Sequence, residues 1–376
     1  MTSTDPRRYR VAIVGGAGMW GRHYLTSAVE HEQCDPILVD TSDRRDEFAE
    51  HHGVTDVYAT LDELFANEVP DVVCCVLPVQ VAPSQVLACV EAGVRVVSCE
   101  KPIAVELAEA DHVVKTCRDR GVAFGCATAH YEVPLLYETA AWLASGEFGQ
   151  ITGAAIPGGL PVEVAGAGCV QMTQLRGLTG REIEWVEGWE LASEGGYRAP
   201  EASDLEADCP AYGRMGLTGD IICEVPQPLG EGPVRCRVSV TTTEGRLYLQ
   251  YPLPIILQGE GARATPVYPD FLEQETGWRS MTPRLQSLLD AVDAGDGQVK
   301  CSGHDYRQAL EAAIAFKLSA ANGHERIDLP LVDRSHKIYP HPYRMRGGDV
   351  AGYESIGYES APQVEQRRAR RKKSKS

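Results

Sequence analysis

No stretch of this chain approaches the run of about eighteen apolar residues that a membrane-spanning helix needs, so a span is excluded. The 12 cysteines include no C-x-x-C pair and no accompanying His-rich spacing. They stand singly or as Cys74-Cys75, which argues against a zinc site or a disulfide framework and for reduced, buried thiols. Basic residues are scarce, 36 Lys and Arg against 53 Asp and Glu for a net charge of −17. Such an acidic body is poorly suited to nucleic acid. The exception is a run of basic residues from Arg367 to Lys375, expected to be a solvated, disordered tail. No internal repeat is present. Arg7-Arg8 is followed by only four apolar residues, Val11 to Val14, before glycines intervene, too short for a twin-arginine leader; the expectation is a cytoplasmic protein.

At 376 residues the chain is long enough for two cores. Strand-like Arg10 to Val14 runs into Gly15-Gly16-Ala17-Gly18-Met19-Trp20-Gly21, and the glycines from Gly16 fit G-x-G-x-x-G. Gly16 is expected to make the tight turn, Gly18 to let a pyrophosphate approach the backbone, and Gly21 to let the next helix pack on the strand, with Met19 and Trp20 in the same loop. A second apolar strand, Pro36 to Val39, ends in Asp40, nineteen residues after Gly21, where an acid holds a ribose 2′-hydroxyl. Asp40 favours NAD over NADP, since a 2′-phosphate beside it is a like-charge clash. Arg44 and Arg45 keep NADP open.

Strands at 57–58, 72–76 and 94–98 alternate with helices from Leu61, over 83–92 and over 105–120, the rhythm of a parallel sheet. Ala123 to Cys126 is the expected last strand. Beyond Ile151, alternating segments such as Arg235–Val240 and Arg246–Gln250, joined by Thr243-Glu244-Gly245, predict an antiparallel sheet with one covered face. Ser302-Gly303-His304-Asp305 is a capping box opening a helix with Leu310, Ile314, Phe316 and Leu318 largely on one side. The expected fold is α/β: a Rossmann domain over 1–127, a second α+β domain with an open, mostly antiparallel sheet over 128–332, and an extension over 333–376 that wraps the surface or meets another subunit.

Chemistry concentrates at Cys99-Glu100-Lys101-Pro102. The strand before it carries Lys101 to its carboxyl end, where open α/β sheets bind their ligands, and Pro102 fixes the turn behind it.

The loop Gly16 to Gly21, Asp40, Glu91-Ala92-Gly93 before a strand and Glu100-Lys101-Pro102 together resemble the Gfo/Idh/MocA family of glucose-fructose oxidoreductase and inositol dehydrogenase relatives, over about residues 9 to 332. Gly146-Glu147-Phe148-Gly149-Gln150-Ile151 and the helix from Ser302 to Gly323 belong to the same likeness. The resemblance implies NAD, with NADP possible, and hydride exchange with a sugar-like or cyclitol substrate. It also implies a cofactor contact at Glu100 and a homo-oligomer formed through the second sheet. Lys101 then stabilises or protonates the substrate oxygen. Family enzymes usually carry D-x-G-x-H-x-x-D in the second domain. The best match here, Gly166 to Thr173 aligned by Leu178-Thr179-Gly180, has Gly166, Val170 and Thr173 in place of the acids and the histidine, and the histidine frequent after the fourth strand falls at Ala82. The usual general base is absent. His130 and Tyr131, just past the last strand, are the candidates to replace it. Gln171, Thr173, Gln174 and Arg176 are candidates for binding substrate hydroxyls or a carboxylate. An imine reductase of the same superfamily and a non-catalytic nucleotide sensor are the alternatives.

Overall fold

The computed structural model describes residues 7–18, 20–127, 133, 135–192, 202–228, 236–273, 282–341 and 344–345. Six parallel strands, β1 (Tyr9–Val14), β2 (Cys34–Val39), β3 (Asp56–Tyr58), β4 (Val72–Cys75), β5 (Val96–Cys99) and β6 (Ala123–Gly125), form one sheet in the order β3-β2-β1-β4-β5-β6. That order is the doubly wound dinucleotide fold, with its switch point between β1 and β4. The strands are apolar on both faces because both are covered. Ala12, Val14, Val73 and Val97 join one core, and Val11, Ile13, Val72 and Val96 the other. Helices α1 (Gly21–Glu30), α2 (Arg45–His52), α3 (Leu61–Asn67), α4 (Ala82–Ala92) and α5 (Leu107–Asp119) are the crossovers. β5 starts two residues later than the sequence suggests. The Val94 amide is held by the Cys89 carbonyl at 3.0 Å and belongs to the close of α4.

The second sheet has nine strands: β7 (Ile151–Ala155), β8 (Ile183–Glu190), β9 (Ala211–Leu217), β10 (Ile221–Val225), β11 (Cys236–Thr242), β12 (Gly245–Gln250), β13 (Ile255–Gln258), β14 (Thr265–Pro266) and β15 (Ile327–Asp328). Their order is β14-β13-β12-β11-β7-β10-β9-β8-β15, antiparallel throughout except for the β7–β10 pair. Helix α6 (Leu136–Ser145) leads into this unit, α7 (Cys169–Thr179) follows a π-helical turn over Val164–Gly168, and α8 (Thr282–Ala294) and α9 (Gly303–Ala321) close it.

Two features depart from the pattern read in the sequence. First, α8 crosses back: Leu285, Leu288 and Leu289 share a core with Tyr24 and Leu25 of α1 and Val11 of β1. Second, α9 opens with the expected capping box yet is buried nearly all round. It lies between β8, where a Cβ on Gly188 would be 2.5 Å from Phe316 Cδ1, and the flank of the first sheet at α5 and β6. Its polar residues therefore need partners. Glu311 binds Arg307 and Arg334, and Lys317 reaches Glu190 at 2.6 Å.

Candidate active site

Where β1 ends, the chain needs glycine for steric reasons. Gly15, with φ +82°, is the residue in the left-handed region, and a Cβ there would lie 2.2 Å from the Val76 carbonyl oxygen. The tight turn thus belongs to Gly15, not to Gly16, whose missing Cβ makes room for Leu38. Gly21 lets α1 approach as expected, since a Cβ would sit 2.0 Å from the Gly15 carbonyl. Gly18 faces open space apart from that same carbonyl at 3.1 Å, which leaves its backbone approachable by a pyrophosphate. Met19 lies outside the described residues.

Asp40 closes the loop. Its Oδ2 accepts from the Ala17 amide and its Oδ1 from the Ser42 amide, both at 2.8 Å, so the carboxylate is aimed before any ligand arrives. The neighbouring arginines are engaged. Arg44 forks onto Glu47 at 3.0 and 2.9 Å, and Arg45 reaches Asp46 and the Asp40 carbonyl. Open glycine backbone, a helix N-terminus and a fixed acid at the end of β2 together fit a dinucleotide.

Lys101 stands two residues past the end of β5. Its Nζ donates to Glu100 Oε2 at 2.9 Å, and Glu100 Oε1 accepts from the Tyr24 hydroxyl at 2.6 Å. Glu100 is fixed by its own amide on the Cys75 carbonyl at 3.0 Å. The Lys101 ammonium also lies 5.2 Å from the centre of the Trp20 ring, which ties the lysine to the glycine loop. Burial pushes the Lys101 pKa down most, but the Glu100 carboxylate and then Cys126 pull it up against a smaller opposing effect of Arg344, and the net direction is up. The lysine holds its proton at neutral pH: it can donate a hydrogen bond or a charge, not serve as a base. Tyr24 keeps its proton as well, because burial drives its pKa well up.

Facing Lys101 is a cluster with no counterpart in the sequence reading. Glu163, 1% exposed, pairs with Arg344 and accepts from the His341 amide at 2.9 Å. Arg344 Nη1 donates to the Lys101 carbonyl at 3.3 Å. Asp208 caps the π-helical turn by accepting from the Val164 and Ala165 amides at 2.8 Å each, and burial followed by Glu163 raises its pKa. Tyr24 was equally invisible, since a tyrosine inside α1 carries no motif.

The four candidates on α7 are all buried. Arg176 needs correcting. Its guanidinium binds Glu182 at 2.8 and 2.9 Å, Asp305 at 2.9 Å and Gln308, so it brackets α7, β8 and α9 together instead of presenting a cation to substrate. The Thr173 hydroxyl donates to the Val170 carbonyl at 3.1 Å. His130 and Tyr131 lie outside the described residues.

The first sheet, its glycine loop and Asp40 have the geometry of a dinucleotide-binding fold. Residues 9–128 match the model of the Gfo/Idh/MocA group, described as an oxidoreductase family with an NAD-binding Rossmann fold. No curated protein matches the sequence. Among solved structures, an oxidoreductase domain protein from Kribbella flavida superposes with TM-score 0.70 at 16% identity, covering 86% of this chain and 100% of its own. An oxidoreductase from Agrobacterium radiobacter, in complex with NAD+, L-tartaric acid and magnesium, gives 0.66 at 18% identity over 85% and 98%. Myo-inositol 2-dehydrogenase from Lactobacillus plantarum gives 0.64 at 17% over 86% and 99%. At these identities the likeness is one of fold, and it extends through the second sheet.

Proposed function

We propose that the protein is an NAD-dependent oxidoreductase that moves hydride to or from a sugar-like, cyclitol or other small polar alcohol or carbonyl substrate. The observation that carries this reading is a nearly buried lysine just past the carboxyl end of β5, held by Glu100 and facing Trp20 of the glycine loop. Bound NAD supplies the hydride acceptor or donor. Asp40 holds the adenosine ribose, and Gly18 lets the diphosphate reach the backbone amides. Lys101 donates to the substrate oxygen and stabilises the charge that grows there as hydride moves. Glu100 keeps that ammonium charged and aimed, with Tyr24 bracing Glu100 from behind.

A proton must still leave or reach the substrate oxygen. We assign this to His130 or Tyr131, which come a few residues after β6 in the sequence; Gln171, Thr173 and Gln174 remain the candidates for substrate hydroxyls. NAD is favoured over NADP because Asp40 would repel a 2′-phosphate while Arg44 pairs with Glu47 and Arg45 with Asp46. The test is NADH formation across a panel of aldoses, cyclitols and hydroxy acids. Turnover of at least one polyol is the expected result. Tight NADH binding with no turnover across the panel, and no imine reduction, would make the protein a nucleotide sensor instead.

A further inference from the structure

We propose that the described residues 333–341 and 344–345 form a strap whose last described arginine, Arg344, is a positioning residue of the active site, holding the Lys101 turn in register with the loop after β4. The proposal rests on the function inferred above for Lys101. The sequence suggested only that this segment wraps the surface or meets another subunit.

The strap is fastened along its length. Arg334 forks onto Asp111 of α5 at 2.7 and 2.8 Å. The Leu107 amide donates to the His336 carbonyl at 3.1 Å and the Ile338 amide to the Val105 carbonyl at 3.0 Å, so the strap runs antiparallel to the chain entering α5. Ile338 and Met345, at most 1% exposed, peg it down. Its end then touches two different loops of the nucleotide sheet. The Arg344 carbonyl accepts from the Val79 amide at 2.8 Å, and the Arg344 guanidinium donates to the Lys101 carbonyl at 3.3 Å. Loops leaving the carboxyl ends of neighbouring strands are those that meet ligand in such a sheet. One residue therefore spans both.

What fixes Arg344 is Glu163. Its carboxylate is buried and needs a cation, and Arg344 meets it with Nε while Nη1 faces Lys101. A planar fork can hold both acceptors at once, which a lysine ammonium on a flexible stem does poorly. Gly166 makes the room. A Cβ there would stand 2.1 Å from Glu163 Oε1 and 2.6 Å from Arg344 Nε, so any side chain at 166 displaces the pair without removing a charge.

The experiment compares the full-length chain with Arg344→Met, Arg344→Lys and Gly166→Ala. Three quantities are read: amide hydrogen exchange over peptides containing Val79 and Lys101, NADH affinity by fluorescence, and kcat and KM for the polyol that wild type oxidises fastest. Arg344→Met and Gly166→Ala should speed exchange in both peptides and lower kcat by roughly 10²-fold, the scale of a small misplacement of a reacting group, with NADH affinity and KM nearly unchanged. Arg344→Lys should recover part of kcat. If Arg344→Met fails to fold, Gly166→Ala decides. Wild-type kcat together with wild-type exchange at Lys101 in the variants would overturn the proposal, as would a loss confined to thermal stability. Exchange needs no substrate, so a wild-type protein that turns over nothing sinks the function proposed above while the strap is still judged by exchange.

Discussion

The ammonium of Lys101 stands 2.9 Å from Glu100 Oε2, and the two neighbouring side chains are only 10% and 9% exposed. Each makes the other's charge tolerable where water is scarce. The pair joins the end of β5 to α1 through the Tyr24 hydroxyl and to the glycine loop through the Trp20 ring.

A pH dependence follows. The Lys101 pKa is raised above the ordinary lysine value, so its contribution to stability is complete below that value and is lost as pH rises through the higher folded one. In Glu100→Gln the carboxylate is gone and burial is left to push the lysine down. The alkaline limb of kcat/KM should then move to lower pH than in wild type. A pH-rate profile checks it, and an unmoved limb would mean that Glu100 does not set the charge of Lys101.

Cofactor choice tests Asp40. Both carboxylate oxygens are held by backbone amides, and hydrogen bonds to charged groups contribute about 1.5–3 kcal/mol. Asp40→Ala should weaken NADH roughly tenfold to a hundredfold and narrow the preference over NADPH. Titration of both cofactors by fluorescence is the measurement; a wild-type preference for NADPH would hand the decision to Arg44 or Arg45.

Arg176→Met should act on stability. The arginine is 6% exposed and binds Glu182 and Asp305, and breaking such a pair costs about 3 kcal/mol, the low end of the buried range because Glu182 is half exposed. Urea unfolding should show the loss while KM holds. A raised KM at unchanged stability would return Arg176 to substrate binding.

The fold of the nucleotide half was open to sequence because its signals are local: β-branched runs, a glycine loop and an acid at the next strand end. The tight turn was misplaced by one residue because two adjacent glycines satisfy the same spacing, and only the Val76 carbonyl decides between them. Arg176 was misread because a polar residue on α7 looks the same whether it faces substrate or Glu182 and Asp305. Glu163 and Arg344 were missed for a different reason. They are 181 residues apart, and nothing near either one announces the pairing.

The proton-transfer partner is tested by His130→Ala and Tyr131→Phe. General acid-base groups typically contribute roughly 10²- to 10⁴-fold, so one of the two variants should lose activity on that scale with NADH affinity retained. If both keep wild-type rates, neither is the proton-transfer partner and the reading as a nucleotide sensor gains.

The central claim is that Lys101 acts on the substrate oxygen, and Lys101→Ala tests it most directly when kcat and the NADH dissociation constant are measured on the same preparation. The expected result is a fall in kcat of about 10²- to 10⁴-fold with NADH affinity close to wild type. Near-normal kcat would contradict the account and leave Lys101 a structural partner of Glu100.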